Sequence, residues 1–235
     1  DMTKRLSIVF LSAVAILACF AGVMQAQPSS QSRAEEVYNR GIAKTRREDY
    51  RGAIADFQQA ATLFNQSGNL SNAYKSQALA TYWRNNADRL APTTSNNAAL
   101  PNWYVGGACL PNTDCKYALV FANPGAERTN FGGIIILEEN LRMLNRPDGS
   151  GLPINAVLDV QTAPKLRRGE YFSPICQMRG RRTQNLFAAI AQTRGYQNDD
   201  FYPARLAWRI NLTTKKIESI PATNIRCENP CPGGC

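Results

Sequence analysis

Seven cysteines and a complete lack of histidine limit the chemistry that this 235-residue chain can perform. Without an imidazole, the sequence supplies neither a histidine base nor a histidine metal ligand. Three of the cysteines lie in the segment CENPCPGGC, residues 227–235. Their spacing is neither the paired CxxC of a structural zinc site nor the Cys-x-x-Cys of a redox centre. The pattern therefore favours disulfides over a metal site or thiol catalysis.

Six cysteines follow residue 100, and their even number is typical of a disulfide framework in an exported domain. Cys109 and Cys115 flank the turn residues LPNTD, so a short loop can join them. Proline and glycine between Cys231 and Cys235 allow that segment to fold back on itself. Six cysteines allow about 15 pairings, so the connectivity stays open, and the preferred one joins the two that remain, Cys176 and Cys227.

Carboxylates offer little catalytic chemistry. Glu138-Glu139 and Asp199-Asp200 are adjacent in sequence, and neighbours in a strand point to opposite faces. We therefore expect both pairs to be solvated. No phosphate-binding loop is present, because NPGAERTNFGG lacks the required lysine and spacing. The sequence predicts no catalytic residue, no metal site, no cofactor and no enzyme activity, and a carboxylate-based hydrolase ranks last among the functions considered.

The first residues predict export. Lys4 and Arg5 precede an apolar run over residues 6–24, and a polar, proline-containing segment follows. This is the layout of a secretory signal over residues 1–26, cleaved after Ala26. The run is also long enough for a retained membrane anchor, and lipidation at Cys19 is a weaker alternative. In each case we expect an oxidising destination, namely the periplasm, a thylakoid lumen or the extracellular space.

The sequence predicts a helical segment over residues 33–91 and a linker over residues 92–101. The segment contains no cysteine, is rich in alanine, and carries apolar residues at three- and four-residue steps. Its small and aromatic residues resemble the spacing of the tetratricopeptide repeat, in which two antiparallel helices approach closely; these are Gly41, Ala53, Phe57 and Ala60. The sequence departs from that repeat at Arg40 and Lys44, where apolar or aromatic residues are usual.

A second, incomplete unit follows, in which Tyr74, Ala78 and Tyr82 fit the first helix. Stacked repeats need about three units to be stable alone. The segment must therefore lean on the C-terminal domain, on another copy or on a partner. The resemblance implies a docking module, with Tyr74 and Tyr82 as candidate partner contacts, although those tyrosines can equally be internal core.

Residues 102–235 predict a β domain. Short apolar runs such as YALVFA, GGIIILEE, INAVLDVQ and RLAWRINL alternate with glycine- and proline-containing turns, which favours an antiparallel sandwich or barrel. The run NLFAAIAQT fits a strand or a short helix. Trp208 and Ile210 are expected on one face of a terminal hairpin. The segment AWRINLTTKKIESIPATNIRC resembles a domain of uncharacterised exported cyanobacterial proteins, which implies export but no activity.

The net charge of +9 is concentrated in part near Cys176. If the segments flanking Cys176 form adjacent strands, their cations can share one face; these are Lys165, Arg167, Arg168, Arg179, Arg181 and Arg182. We select Arg179, Arg181 and Arg182 as candidate partner contacts for an acidic protein, an anionic polymer or lipid headgroups. Export makes nucleic acid an unlikely ligand.

The sequence thus predicts an α+β protein, with a repeat-like helical hairpin and third helix followed by a disulfide-stapled antiparallel β domain. The expected role is an exported accessory or scaffold protein that binds another protein, which can belong to a membrane-bound complex. The alternative is a module that binds an anionic polymer or lipid headgroups through arginines.

Overall fold

The computed structural model describes residues 29–90, 104–123, 131–145, 151–180, 186–193 and 200–229. The predicted signal segment, the linker, Arg181, Arg182 and the pair Cys231 with Cys235 lie outside the described residues.

Three helices form the N-terminal layer: α1 (Ser30–Thr45), α2 (Tyr50–Gln66) and α3 (Leu70–Leu90). Each begins at a side chain that accepts a hydrogen bond from the first turn, namely Ser29, Asp49 and Asn69. The polar turn between α1 and α2 reverses the chain at Glu48, whose φ is 59°. None of the helices in the described residues is long and apolar enough to span a membrane.

The small residues do bring α1 and α2 together. A Cβ atom on Gly41 would lie 2.7 Å from Cε1 of Phe57, so only glycine fits at this crossing. Ala53 and Ala60 are both fully buried. The close approach that the sequence predicted is therefore present in the helical hairpin.

The first sheet is antiparallel, in the order β1 (Tyr104–Cys109), β2 (Tyr117–Ala122), β3 (Phe131–Asn145) and β4 (Gly151–Pro164). The second contains β5 (Glu170–Met178), β6 (Phe187–Gln192), β7 (Phe201–Asn211), β8 (Lys216–Ile220) and β9 (Ile225–Glu228). Within it, β5, β6, β7 and β9 pair in a closed four-stranded barrel, and β8 pairs with β7. The ambiguous run NLFAAIAQT thus contains a strand.

The first sheet lies between the helices and the second sheet, and β3 is buried on both faces. Ile134 and Ile136 pack towards the helical layer, in a core that includes Leu79 of α3. The intervening Ile135 packs towards the second sheet instead. That second core also contains Trp208 and Ile210, which confirms that they share a face.

Two disulfides confirm two of the predicted cysteine pairings. Cys109 bonds to Cys115 across six positions, and Cys176 bonds to Cys227 across 51. Cys176 and Cys227 stand directly opposite each other in β5 and β9, inside the barrel. Disulfides persist in oxidising compartments, which indicates that the protein is exported.

Candidate functional site

The two basic residues that depart from the repeat pattern are paired with a buried acid. Asp56 of α2 is nearly inaccessible, and it accepts two hydrogen bonds from Arg40, at 2.8 and 2.9 Å. Lys44 lies 2.8 Å from the same carboxylate. The hydrogen bonds from Arg40 hold the pKa of Asp56 below its usual value, assisted by Lys44 against the effect of burial. The two basic residues that depart from the repeat pattern thus share one partner, Asp56, which was not identified from the sequence.

The helices pack on the chain's own β domain. Sheet residues such as Val120, Ile154 and Val160 share one apolar core with Leu79 and Trp83 of α3. At the end of α1, Thr45 accepts a hydrogen bond from the Val157 N–H of β4 at 3.2 Å. The sequence allowed three supports for the helical segment: the C-terminal domain, another copy or a partner. The structure shows the first of these.

Tyr74 and Tyr82 lie in that interface and not on a free surface. Tyr74 is 8% exposed and stacks on Phe131 with ring centroids 4.8 Å apart. Tyr82 is 6% exposed and bonds to Glu138. Their selection as partner contacts does not match this placement, because the face of α3 that carries them covers the sheet.

The most unusual group in the interface is the carboxyl of Glu138. It is 1% exposed, accepts a hydrogen bond from Tyr82 Oη at 2.5 Å, and accepts another from Asn155 Nδ2 at 2.7 Å. Burial raises its pKa to about 7, although the two hydrogen bonds act in the opposite direction. The expectation that Glu138 is solvated was wrong, because β3 is covered on the face that carries it.

A stack of aromatic rings surrounds this carboxyl. Trp83 stacks on Tyr50 with centroids 4.6 Å apart, and its edge meets the ring of Tyr82. Tyr50 donates a hydrogen bond to the Asn155 carbonyl oxygen at 3.3 Å. The pKa of Tyr50 is raised to about 12, mainly by burial and then by the charges of Glu48 and Glu138. Glu138 is therefore buried in an interface that these aromatic side chains help to form.

The basic residues near Cys176 do not form one patch in the described part of the chain. Lys165, Arg167 and Arg168 are exposed before β5, whereas Arg179 is exposed after it. Nine residues of extended strand separate the two groups, a span of about 25–30 Å. The prediction of a shared face does not hold for these four residues.

A buried ion pair supports the first of these groups. The Glu170 side chain is 1% exposed and accepts hydrogen bonds from Arg205 at 2.5 and 2.8 Å. It also accepts one from the Arg167 N–H. Burial alone would raise the pKa of Glu170, but these donors lower it below its usual value. The pair fixes the start of β5.

An exposed apolar pair lies at one end of the first sheet. The hairpin formed by residues 140–145 and 151–155, here called the arm, carries Leu141 at 39% exposure and Met143 at 52% exposure. The register shifts between Asn140 and Arg142, so Leu141 is the additional residue of a bulge. Other exposed large apolar residues, such as Leu70 and Ile175, lie on other elements.

Three contacts bring charged loops to the base of the arm. Arg142 pairs with Glu48 of the α1–α2 turn, Lys215 of the β7–β8 turn lies 3.6 Å from Glu139, and the Asn140 N–H donates to the Lys116 carbonyl. Exposed cations at this end also include Arg46 and Arg47. We call the arm with residues 46–49, 110–116 and 212–215 the arm end. It combines exposed apolar side chains with cations from three loops.

The described residues contain no group of three or more Cys, Asp or Glu side chains that could hold a metal ion. The chain matches no protein-family model, and no significantly similar curated protein or solved structure was found. The two resemblances proposed from the sequence therefore stay predictions, and function has to be argued from the geometry.

Proposed function

We propose that this is an exported, non-catalytic accessory or scaffold protein that binds another protein through its arm end. Its compartment is the periplasm, a thylakoid lumen or the extracellular space. The observation that carries the proposal is the exposure of Leu141 and Met143, two residues apart, on an end that carries several cations.

The internal use of the helices supports this choice of surface. Repeat proteins bind partners on the surface that their stacked helices create. Here the sheet-facing sides of α1 and α3 are buried against the chain's own sheet, through Thr45, Tyr74 and Tyr82. The helical layer then acts as a brace, and its sheet-facing side is not open to a partner.

The chemistry of the arm end defines the partner. Glu48 and Glu139 pair with Arg142 and Lys215, and Asp49 caps α2. Most acidic groups at this end are thus engaged, while Arg46 and Arg47 are exposed, and so is Lys116, whose ammonium group lies 5.5 Å from the centroid of the Tyr117 ring. A complementary surface has an apolar pocket for Leu141 and Met143, with an acidic rim.

The experiment is site-specific cross-linking in the native compartment. A photoreactive residue at position 141 or 143 is expected to yield one predominant protein adduct. Equivalent probes at Leu70 and Ile175 are matched controls, because both are exposed apolar residues on other elements. Leu141→Asp with Met143→Asp should abolish capture, whereas Leu70→Asp should not. Equal labelling from all four positions would contradict the proposal.

A second candidate is binding of an anionic polymer or lipid headgroups. The exposed cations before β5, Lys165, Arg167 and Arg168, favour it. Such binding should weaken steeply with salt, because the Debye length falls from about 10 Å at 0.1 M to about 3 Å at 1 M. If anionic vesicles or heparin bind the Leu141→Asp/Met143→Asp protein normally, and charge reversal at Arg167 and Arg168 abolishes that binding, this candidate replaces the first.

A further inference from the structure

Two side-chain hydrogen bonds between the helical layer and the first sheet meet in one cluster, and Thr45 of α1 bonds close by to Val157, which pairs with Glu138 in the sheet. Tyr82 of α3 bonds to Glu138 of β3, and Tyr50 of α2 bonds to the Asn155 carbonyl of β4. Asn155 in turn donates to Glu138. Apolar side chains of the core shared by the helices and the sheet pack around these bonds. Glu138 therefore lies at the centre of the contact that holds the helices on the sheet.

The carboxyl has neutral partners on the elements that pack against it. Tyr82 of α3 and Asn155 of β4 donate to it, and Tyr50 of α2 donates to the Asn155 carbonyl. The other charged groups that act on Tyr50 of this cluster are Glu48 of the α1–α2 turn and Arg142 of β3 itself, and these two form an ion pair with each other. None of the described salt bridges involves Glu138.

A buried carboxylate without a cation is costly, because burial removes its hydration and two neutral donors replace only part of it. A neutral carboxyl avoids most of that cost. The alternative for the ionised form is to regain water, which requires α3 to move away from β3 and β4. Protonation of this one group and attachment of the helical layer are therefore coupled.

We propose that Glu138 is a protonation-controlled latch that holds the helical layer against the first sheet while its carboxyl is neutral and loosens that contact when it ionises. The latch does not depend on the function proposed for the arm end. The chain contains no histidine, so a response near neutral pH cannot come from imidazole.

The direction of the response follows from the pKa of the two states. Glu138 has a pKa of about 7 when the layer is attached and its ordinary 4.5 when it is solvated. The attached state is most favourable below pH 4.5, loses stability as the pH rises towards 7, and changes little above that. The opening equilibrium should increase about 70-fold between pH 5 and pH 8.

Hydrogen exchange of the full-length protein measures this opening. Amide exchange in residues 74–83 of α3, corrected for the intrinsic pH dependence of exchange, should accelerate about 70-fold over that range. Amides in the β7–β8 hairpin, residues 206–219, should not follow, because none of the described hydrogen bonds or ion pairs joins this hairpin to Glu138. Corrected α3 exchange that stayed constant would overturn the proposal.

Two variants test the assignment to this carboxyl. Glu138→Gln keeps the size and hydrogen bonding of the neutral form, so the pH response should shrink to about twofold or less. Glu139→Gln, on the neighbouring position, is the matched control and should retain the full response. A Glu138→Gln protein with the parental response would refute the latch.

If Glu138→Gln does not fold, Tyr82→Phe decides the question. This variant keeps the ring but removes the hydroxyl that stabilises the carboxylate. The pH response should then extend to higher pH than in the parent. An unchanged response would show that another group titrates.

Discussion

Removal of the Cys176–Cys227 cross-link should lower the free energy of unfolding by about 4 kcal/mol. The bond joins residues 51 positions apart, and the chain-entropy relation for a closed loop of that size gives about 4 kcal/mol at room temperature. The Cys109–Cys115 bond spans six positions, for which the same relation gives about 2 kcal/mol. The structure thus predicts that removal of Cys176–Cys227 lowers the free energy of unfolding more than removal of Cys109–Cys115 does.

The comparison uses two double variants, Cys176→Ala/Cys227→Ala and Cys109→Ala/Cys115→Ala. Urea unfolding, followed by tryptophan fluorescence without reductant, gives the free energy of unfolding of each. Burial predicts a second ranking, because Cys176 and Cys227 are buried whereas Cys109 and Cys115 are exposed. A small thiol reductant should therefore open the short loop first.

Two results would refute this reasoning. One is a larger loss of stability from the short-loop variant than from the long-loop variant. The other is earlier reduction of Cys176–Cys227, detected by alkylation and mass spectrometry, which would show that the barrel interior is more accessible than its burial implies.

Three further changes test the helical hairpin and the barrel. Gly41→Leu should lower the free energy of unfolding in urea by about 1–3 kcal/mol, because the new side chain meets Phe57. Ala43→Leu, at an exposed position of α1, should change it by less than about 0.5 kcal/mol. Asp56→Ala should lower the free energy of unfolding by about 1–2 kcal/mol, a small value because its cationic partners are partly exposed to solvent. In thermal unfolding followed by circular dichroism, the helical signal of this variant should be lost first. Glu170→Gln should cost about 3 kcal/mol at pH 7, because its Arg205 partner stays partly buried. Since the pKa of Glu170 is lowered in the fold, that difference should shrink as the pH falls below the usual value of 4.5, and a difference independent of pH would contradict the assignment.

Several features could be predicted because they depend on local pattern. The helix crossing at Gly41 follows from small residues at regular spacing, and most strands of the β domain follow from short apolar runs between turns. The pairing Cys109–Cys115 follows from loop length and turn residues, whereas Cys176–Cys227 was expected only as the pair that remains. Three strands were not predicted: β1 contains two glycines, β5 is interrupted by Pro174, and β9 has only four residues.

The sequence by itself thus determined the helical hairpin, the β class of the second region, the short Cys109–Cys115 loop and the prediction of export, whereas the structure decided the long-range pairing of Cys176 with Cys227. Only the tertiary structure decided which surfaces are free. Tyr74 and Tyr82 are buried because α3 covers the sheet, and Glu138 is buried because β3 lies between two layers. Periodicity shows that a face is apolar or polar but not what packs on it. The partners of Glu138 come from residues 17 and 56 positions away, so no local pattern could reveal its environment.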